Sequence, residues 1–380
     1  MSRRKMLALA GGGVVLAATA SAGATLVRTP QSALEPWRAA GAYSDPRMRA
    51  LSYAVLAPNP HNRQPWIVDL DTPGQATLYV DTDRLLPHTD PFSRQIVIGL
   101  GCFLELMRMA AAEDGYGVSI EVFPDGADAA RLDQRPVAVC KFDPAPSAPD
   151  PLFTHVFERR SLKEPYDTGR PVADAALDQL ASSIAHTTTA GVTNDVETVA
   201  QLRELTRAAL VIELETPHTY KESVDLFRIG AREVDANPDG IDFSGPQWEA
   251  LRMTGLFSRR TALNPNGPSF QGGLRMVQEN ATTAMAYIWL NTAQNTRADQ
   301  VAAGRDWIRV NLAATALGLG VQPMSQPLQE YPEMRMLYNE VHNMLAPDGS
   351  TVQMLGRLGY GPNVAPSPRW GIEQKIRKHA

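Results

Sequence analysis

The sequence predicts an α+β fold built from two related halves. Two long helical runs, about 96–113 and about 302–317, are apolar around most of their circumference, as helices buried in a protein centre are. Each ends in Gly-x-Gly-Val, and short strand candidates flank both.

In the first half, Trp66–Leu70 and Ala76–Asp81 bracket Asp71-Thr72-Pro73-Gly74, a turn sequence that makes the pair a hairpin. The first apolar helix follows with Leu100, Phe103, Leu104, Leu106 and Met107, then strands at Val118–Phe123 and Val137–Phe142. Asp143-Pro144-Ala145-Pro146-Ser147-Ala148-Pro149-Asp150-Pro151 cannot continue a helix or a central strand, so 143–151 reads as an extended linker. It divides a half at 31–142 from a longer half at 152–380. There, 196–260 reads as mostly helical, broken at Asp235–Gly240, and 196–300 as an insertion and candidate lid. Thr283–Leu290 and Val352–Leu358 are the strands, around a second apolar helix with Trp307, Ile308, Val310, Leu312 and Leu317. Ala110–Val118 can be laid over Ala313–Val321, with Gly115 and Gly318 placed to close each helix in a left-handed conformation. That match is the sign of internal duplication.

Residues 1–24 have the anatomy of a secretory signal: Arg3, Arg4 and Lys5, a Gly/Ala-rich apolar run, then small residues. The adjacent arginines look like the twin-arginine class, which implies export to the periplasm or another extracytoplasmic space through the twin-arginine (Tat) machinery. Removing 1–24 moves the formal charge from −5 to −8. An acidic chain has no electrostatic footprint for nucleic acid. Cys102, in the helical run, and Cys140, in a strand, read as small buried hydrophobes, with a disulfide between them the alternative in an oxidising compartment.

No H-E-x-x-H, G-x-S-x-G, Walker loop or Cys/His cluster occurs, so no metal is expected and an enzyme here must borrow its reactivity from a cofactor. Two segments suit that role. In Ala57-Pro58-Asn59-Pro60-His61-Asn62-Arg63-Gln64-Pro65-Trp66, three prolines stiffen a loop carrying the amides of Asn62 and Gln64, which suit the edge of a heteroaromatic ring. The residues alone read equally well as a turn entering a strand. In Arg159-Arg160-Ser161-Leu162-Lys163, an extended backbone puts Arg159, Ser161 and Lys163 on one side, where they suit a phosphate. Taken alone, this segment also reads as a solvated basic patch.

Together these segments resemble the nitroreductase superfamily. Ala-Pro-x-x-x-Asn-x-Gln-Pro-Trp is similar to that family's hallmark loop, with Asn59 where a serine is usual, and Arg-x-Ser-x-Lys is similar to its FMN-phosphate motif. Gly359-Tyr360-Gly361 with Arg369 resembles the C-terminal segment whose basic residue reaches the phosphate. Pro323-Met324-Ser325 resembles the loop under the flavin ring. The resemblance implies a nitroreductase-like fold, two halves forming a pseudo-dimer around central helices and mixed sheets. It implies FMN held by Asn62, Gln64, Arg159, Ser161, Lys163, Pro323, Met324, Ser325 and Arg369, with the flavin carrying the chemistry. It also implies NAD(P)H as electron donor and a small electron-poor ring, nitroaromatic or quinone, as substrate. Export places the chain away from cytoplasmic NAD(P)H, so a flavin-binding protein with little or no turnover is the alternative. The Asn/Gln loop occurs only in the first half and the phosphate motif only in the second. One flavin site at the interface of the halves is the expectation.

Overall fold

The computed structural model describes residues 29–378, Pro146 excepted. The expected signal segment, 1–24, lies outside the described residues.

The first half comprises α1 (Glu35–Ala39), α2 (Pro46–Ala54), β1 (Trp66–Asp69), β2 (Gln75–Val80), α3 (Arg94–Glu113), β3 (Gly117–Val122) and β4 (Ala138–Asp143). The second opens with α4 (Asp174–Ala181) and β5 (Thr189–Thr193). An excursion follows: α5 (Val196–Glu215), α6 (Pro217–Asp225), β6 (Phe227–Ile229), α7 (Ala231–Ala236), β7 (Ile241–Phe243), α8 (Pro246–Met253), α9 (Arg259–Ala262) and α10 (Pro268–Thr282). The half closes with β8 (Ala286–Thr292), α11 (Arg297–Ala316), β9 (Gly320–Pro323), α12 (Arg335–Leu345) and β10 (Thr351–Gly359). The excursion therefore ends before Ala286 rather than near residue 300, because β8 is already a sheet strand there.

The halves repeat one topology. The first sheet has the order β1-β2-β4-β3 and the second β5-β8-β10-β9. In each, two strands, a long helix and two more strands follow in sequence, and neighbours run antiparallel. Parallel pairing enters at β6–β7 and through two bridges, Ser161 beside Val321 and Val68 beside Ile376. These bridges add the predicted phosphate-motif segment to the edge strand β9, and the chain's C-terminal strap to the edge strand β1. Where β1 and β2 are joined by the turn at Gly74 (φ 70°), β5 and β8 are joined by the whole excursion.

Helices α3 and α11 pack on each other at the centre, and α3 is buried at every position from Ile96 to Ala112 except Arg108. Their crossing is made by glycines. A Cβ on Gly101 would overlap the Val301 carbonyl, and one on Gly304 would overlap the Ile98 carbonyl; each would lie 2.9 Å from the other glycine's Cα. The shift relating Gly101 to Gly304 also relates Ile98 to Val301, Gly115 to Gly318 and Ala110 to Ala313. Reciprocal contacts of this kind characterise a twofold interface. Gly115 and Gly318 both take positive φ, 78° and 67°, closing their helices as expected.

Apolar periodicity concealed one feature of these helices. Fully buried Glu105 on α3 meets Arg108 at 2.6 Å, Arg305 at 2.8 Å, Arg309 at 3.3 Å and His186 at 3.2 Å. Burial works against its ionisation, but the hydrogen bonds from His186 and Arg108 and the charge of Arg305 hold the carboxyl well below its usual range. Cys102 and Cys140 are both free and buried, and burial pushes each thiol up to about 12.

Candidate functional site

The loop from Ala57 to Trp66 is held in an uncommon backbone conformation. His61, Asn62 and Gln64 take φ of 47°, 51° and 50°. Left-handed φ at non-glycine residues costs of order 1–3 kcal/mol each and concentrates at functional sites. Local bonds support it here: Asn59 Oδ1 accepts from Gln64 N at 2.7 Å, and Asn59 Nδ2 donates to the Ala57 carbonyl at 3.1 Å. Asn59, the departure from the usual serine, thus works within the loop. Gly99 of α3 permits the approach, since a Cβ there would come within 3.0 Å of Asn59 Cβ.

Both predicted amides bond to protein. Asn62 Nδ2 donates to Pro368 O at 3.0 Å, and Asn62 Oδ1 accepts from Arg369 Nη1 at 2.7 Å. Gln64, fully buried, donates from Nε2 to Pro238 O at 2.6 Å and accepts at Oε1 from Trp370 N at 2.8 Å. In this conformation the two amides therefore join the loop to the C-terminal strap and the excursion. Gly240 N adds a bond to Asn62 O at 3.2 Å. Beside it, buried Asp239 takes Arg63 at 2.9 Å and Arg84 and Arg228 at 2.7 Å each. The first half and the excursion are thereby fastened at the loop.

The predicted cations divide into two groups. Arg159 and Arg369 are each 3% exposed, and both donate to the Leu56 carbonyl at 3.3 Å; Arg369 also reaches Ala57 O at 3.1 Å. Among the described residues, Arg159 Nη1 and Arg369 Nε are buried without a partner. Burial pushes Arg159 down to about 10, with the charge of Arg160 adding to it. Burial, followed by the charges of Arg159 and Arg160, pushes Arg369 down to about 9. Arg160 lies over the Trp37 ring at 4.9 Å, and Trp37 Nε1 donates to Ser367 O at 2.8 Å. Buried guanidinium groups with unused N–H donors, close together, form a place prepared for an anion.

Lys163, from the same motif, is not bonded to that pair. Burial of its ammonium lowers its pKa, against the opposing charges of Glu213 and Asp242, both from the excursion. His61 lies on this side: burial, then the charges of Lys163 and Arg63, push it down to about 4. Ser161 sits in the bridge to Val321, and Leu162 N donates to Val321 O at 2.8 Å, which sets the motif alongside β9. Pro323 ends β9 opposite Gly356, and buried Met324 gives its N–H to Leu355 O at 2.8 Å. The Met324 N–H is therefore spent on the sheet.

The structure thus brings Asn62, Arg159 and Arg369 together. It runs Ser161 and Lys163 beside the strand leading to Pro323, Met324 and Ser325, and withdraws Gln64 into the interior. Sequence reasoning passed over Trp37 and the Leu56 carbonyl, which no motif or spacing marks, and gave Asn59 and Arg160 no role of their own. Glu213 and Asp242 had no sequence signal at all.

No family model matches the chain. A Mycobacterium tuberculosis protein named "Putative NAD(P)H nitroreductase" is 26% identical over 335 residues, covering 86% of this chain and 89% of its own. A second protein of that name and organism is 36% identical over 85 residues, 22% of this chain and 25% of its own. Among solved structures, an FMN-dependent nitroreductase from Mycobacterium smegmatis in complex with NADPH aligns with a TM-score of 0.35 at 16% identity, covering 60% of this chain and 98% of that one. A nitroreductase homologue from Anabaena variabilis aligns with a TM-score of 0.40 at 14% identity, over 89% and 91%. By sequence, the chain is similar across most of its length to one protein named as an NAD(P)H nitroreductase, and over 85 residues to another.

Proposed function

We propose that the chain is an FMN-dependent oxidoreductase of the nitroreductase type, with one flavin per chain held between its two halves. The buried pair Arg159 and Arg369, each with an N–H lacking an acceptor among the described residues, carries this reading, because it fits a phosphate. Arg159 and Arg369 would hold the phosphate, with Ser161 beside them. Lys163 would lie toward the ring, and Ser325 would donate a backbone N–H to the ring edge. Asn62 would orient Arg369 through its 2.7 Å bond. Bound FMN supplies the two-electron chemistry, and the chain positions it and balances its charge.

The relatives' name supports NAD(P)H as donor, and a small electron-poor ring, nitroaromatic or quinone, is the proposed acceptor. The two halves are proposed to be a fused pseudo-dimer, supported by their repeated topology. Export by the twin-arginine route is part of the same reading and rests on residues 1–24 alone. It moves folded proteins, so FMN would be loaded beforehand.

One observation favours a second reading, a flavin-retaining protein with little turnover. The excursion is fastened to the flavin loop through Pro238, Asp239 and Gly240, which would slow exchange at the site. A visible spectrum of the purified chain before and after anaerobic NADPH separates the two. Flavin bands at one per chain that bleach within seconds support the oxidoreductase, and bands that persist support the retaining protein. Failure to take up FMN, or two flavins per chain, overturns the proposal.

A further inference from the structure

Away from the flavin loop's anion site, the C-terminal strap borders a second cavity of about 370 Å³, whose lining includes Asp81, Arg84, Trp370, Lys375 and Arg377. Lys375 is 4% exposed, and its ammonium donates to the Gln64 carbonyl at 2.8 Å, leaving two protons without a named acceptor. The charges around it are mostly positive. Arg84 lies on the same wall, with Arg377 and Lys378 at the rim. Asp81 is already paired with Arg84 at 2.9 Å, and Asp239 is shared among three arginines. Burial, followed by the charge of Arg84, brings the amine from 10.5 down to about 7, with Asp81 and Asp239 opposing and Arg63 adding to the fall. An ordinary exposed lysine near pH 7.5 keeps only about one amine in a thousand neutral. Burial and the charge of Arg84 therefore favour the neutral form of this amine, which lines a cavity together with Arg84, Arg377 and Lys378.

We propose that Lys375, buried on the wall of this cavity beside Arg84 and Trp370, is a carbamylation site at which its amine takes up carbon dioxide. The nitrogen lone pair forms the N–C bond, one C=O π pair moves onto oxygen to give a carboxylate, and the nitrogen releases one proton to solvent. No oxidant or reductant is needed. The nitrogen keeps one N–H, enough to preserve the bond to the Gln64 carbonyl. The new negative charge would lie in a cavity lined by Arg84, whose charge disfavours the protonated amine, and by Arg377 and Lys378. Trp370 Nε1, buried without an acceptor in the unmodified chain, is a further donor on this wall. Because Gln64 Oε1 also holds Trp370 N, the modification would sit on the segment that secures the flavin loop. The inference does not depend on FMN binding.

The test equilibrates the full chain with carbon-13 bicarbonate near pH 7.5, traps carbamates with triethyloxonium and maps the labelled peptides. Label at Lys375 is expected at about tenfold or more over exposed Lys141 and Lys221, fading below about pH 6 as the amine protonates. The carbamate resonance should vanish in Lys375→Arg while the thermal transition persists. Labelling at Lys375 that is absent, or no greater than at Lys141 and Lys221, overturns the proposal. Should Lys375→Arg fail to fold, acetylation of the natural chain against pH decides instead: a midpoint near 7 at Lys375 supports the site, and one above about 9 sinks it.

Discussion

Arg159 and Arg369 donate to one carbonyl oxygen, that of Leu56, at 3.3 Å each. They come from the two ends of the second half, whereas Leu56 belongs to the first. Like charges gather at a buried acceptor only where the surroundings compel it, and neither guanidinium has a carboxylate partner among the described residues.

Replacing Arg159 with Met separates ligand binding from scaffolding. FMN affinity should fall by about 1.5–3 kcal/mol, roughly 10- to 100-fold, through loss of a charge-assisted phosphate contact. The FMN-free protein should melt no lower than before, because the lost group is a buried cation lacking a counter-ion. Fluorescence titration and thermal melting of the same preparation check both. Unchanged FMN affinity would remove Arg159 from the site.

Asn62→Ala should also weaken FMN, by about tenfold or more, although Asn62 lies in the half without the phosphate motif. Its Oδ1 holds Arg369 Nη1 at 2.7 Å, and truncation leaves that guanidinium unaimed. Affinity equal to that of the natural chain would rule out a site shared between halves.

His61 sets an acid limit on the FMN-free fold. Its folded value of about 4 lies below the unfolded 6.5, so between these values the unfolded chain binds more protons. Stability from this residue is present above 6.5 and is lost as pH falls toward 4. Urea midpoints measured across that range should decline, and His61→Asn, which tolerates the same positive φ, should flatten the slope. An equal slope in both proteins would assign the acid sensitivity elsewhere.

Gly304→Ala probes the central crossing. The added methyl meets the Ile98 carbonyl, a backbone atom that cannot step aside as a side chain can. A loss of about 1–3 kcal/mol is expected from overpacking, read from denaturant melts. Combining it with Gly101→Ala should cost less than the sum, since one separation of the helices relieves both clashes.

Much of this architecture is legible in the sequence, and the parts that are not share a cause. The α+β class, both central helices, the β1–β2 hairpin and the glycine exits follow from local periodicity and turn chemistry. Strand β5 does not, because Gly191 interrupts its pattern. That glycine exists to receive the indole of its cross-strand partner Trp289, a relation between distant residues. Within the site, Arg159 and Arg369 were recognisable from motifs. The interior bonds of Gln64 were not, since they involve Pro238 and Trp370, far along the chain. Glu105 escaped for the same reason: three of its partners, His186, Arg305 and Arg309, belong to the other half.

The reciprocal glycine crossing has a consequence for how such a molecule can change over time. In a dimer of identical chains every mutation appears twice, and an added segment must tolerate its own copy across the axis. The fusion proposed above, which would link the copies in one polypeptide, removes that rule. One side could then acquire the 194–285 excursion between β5 and β8 while the other kept the five-residue link 70–74, and neither had to answer for the other's novelty. Only at the axis does the old obligation persist, where Gly101 and Gly304 must stay small together.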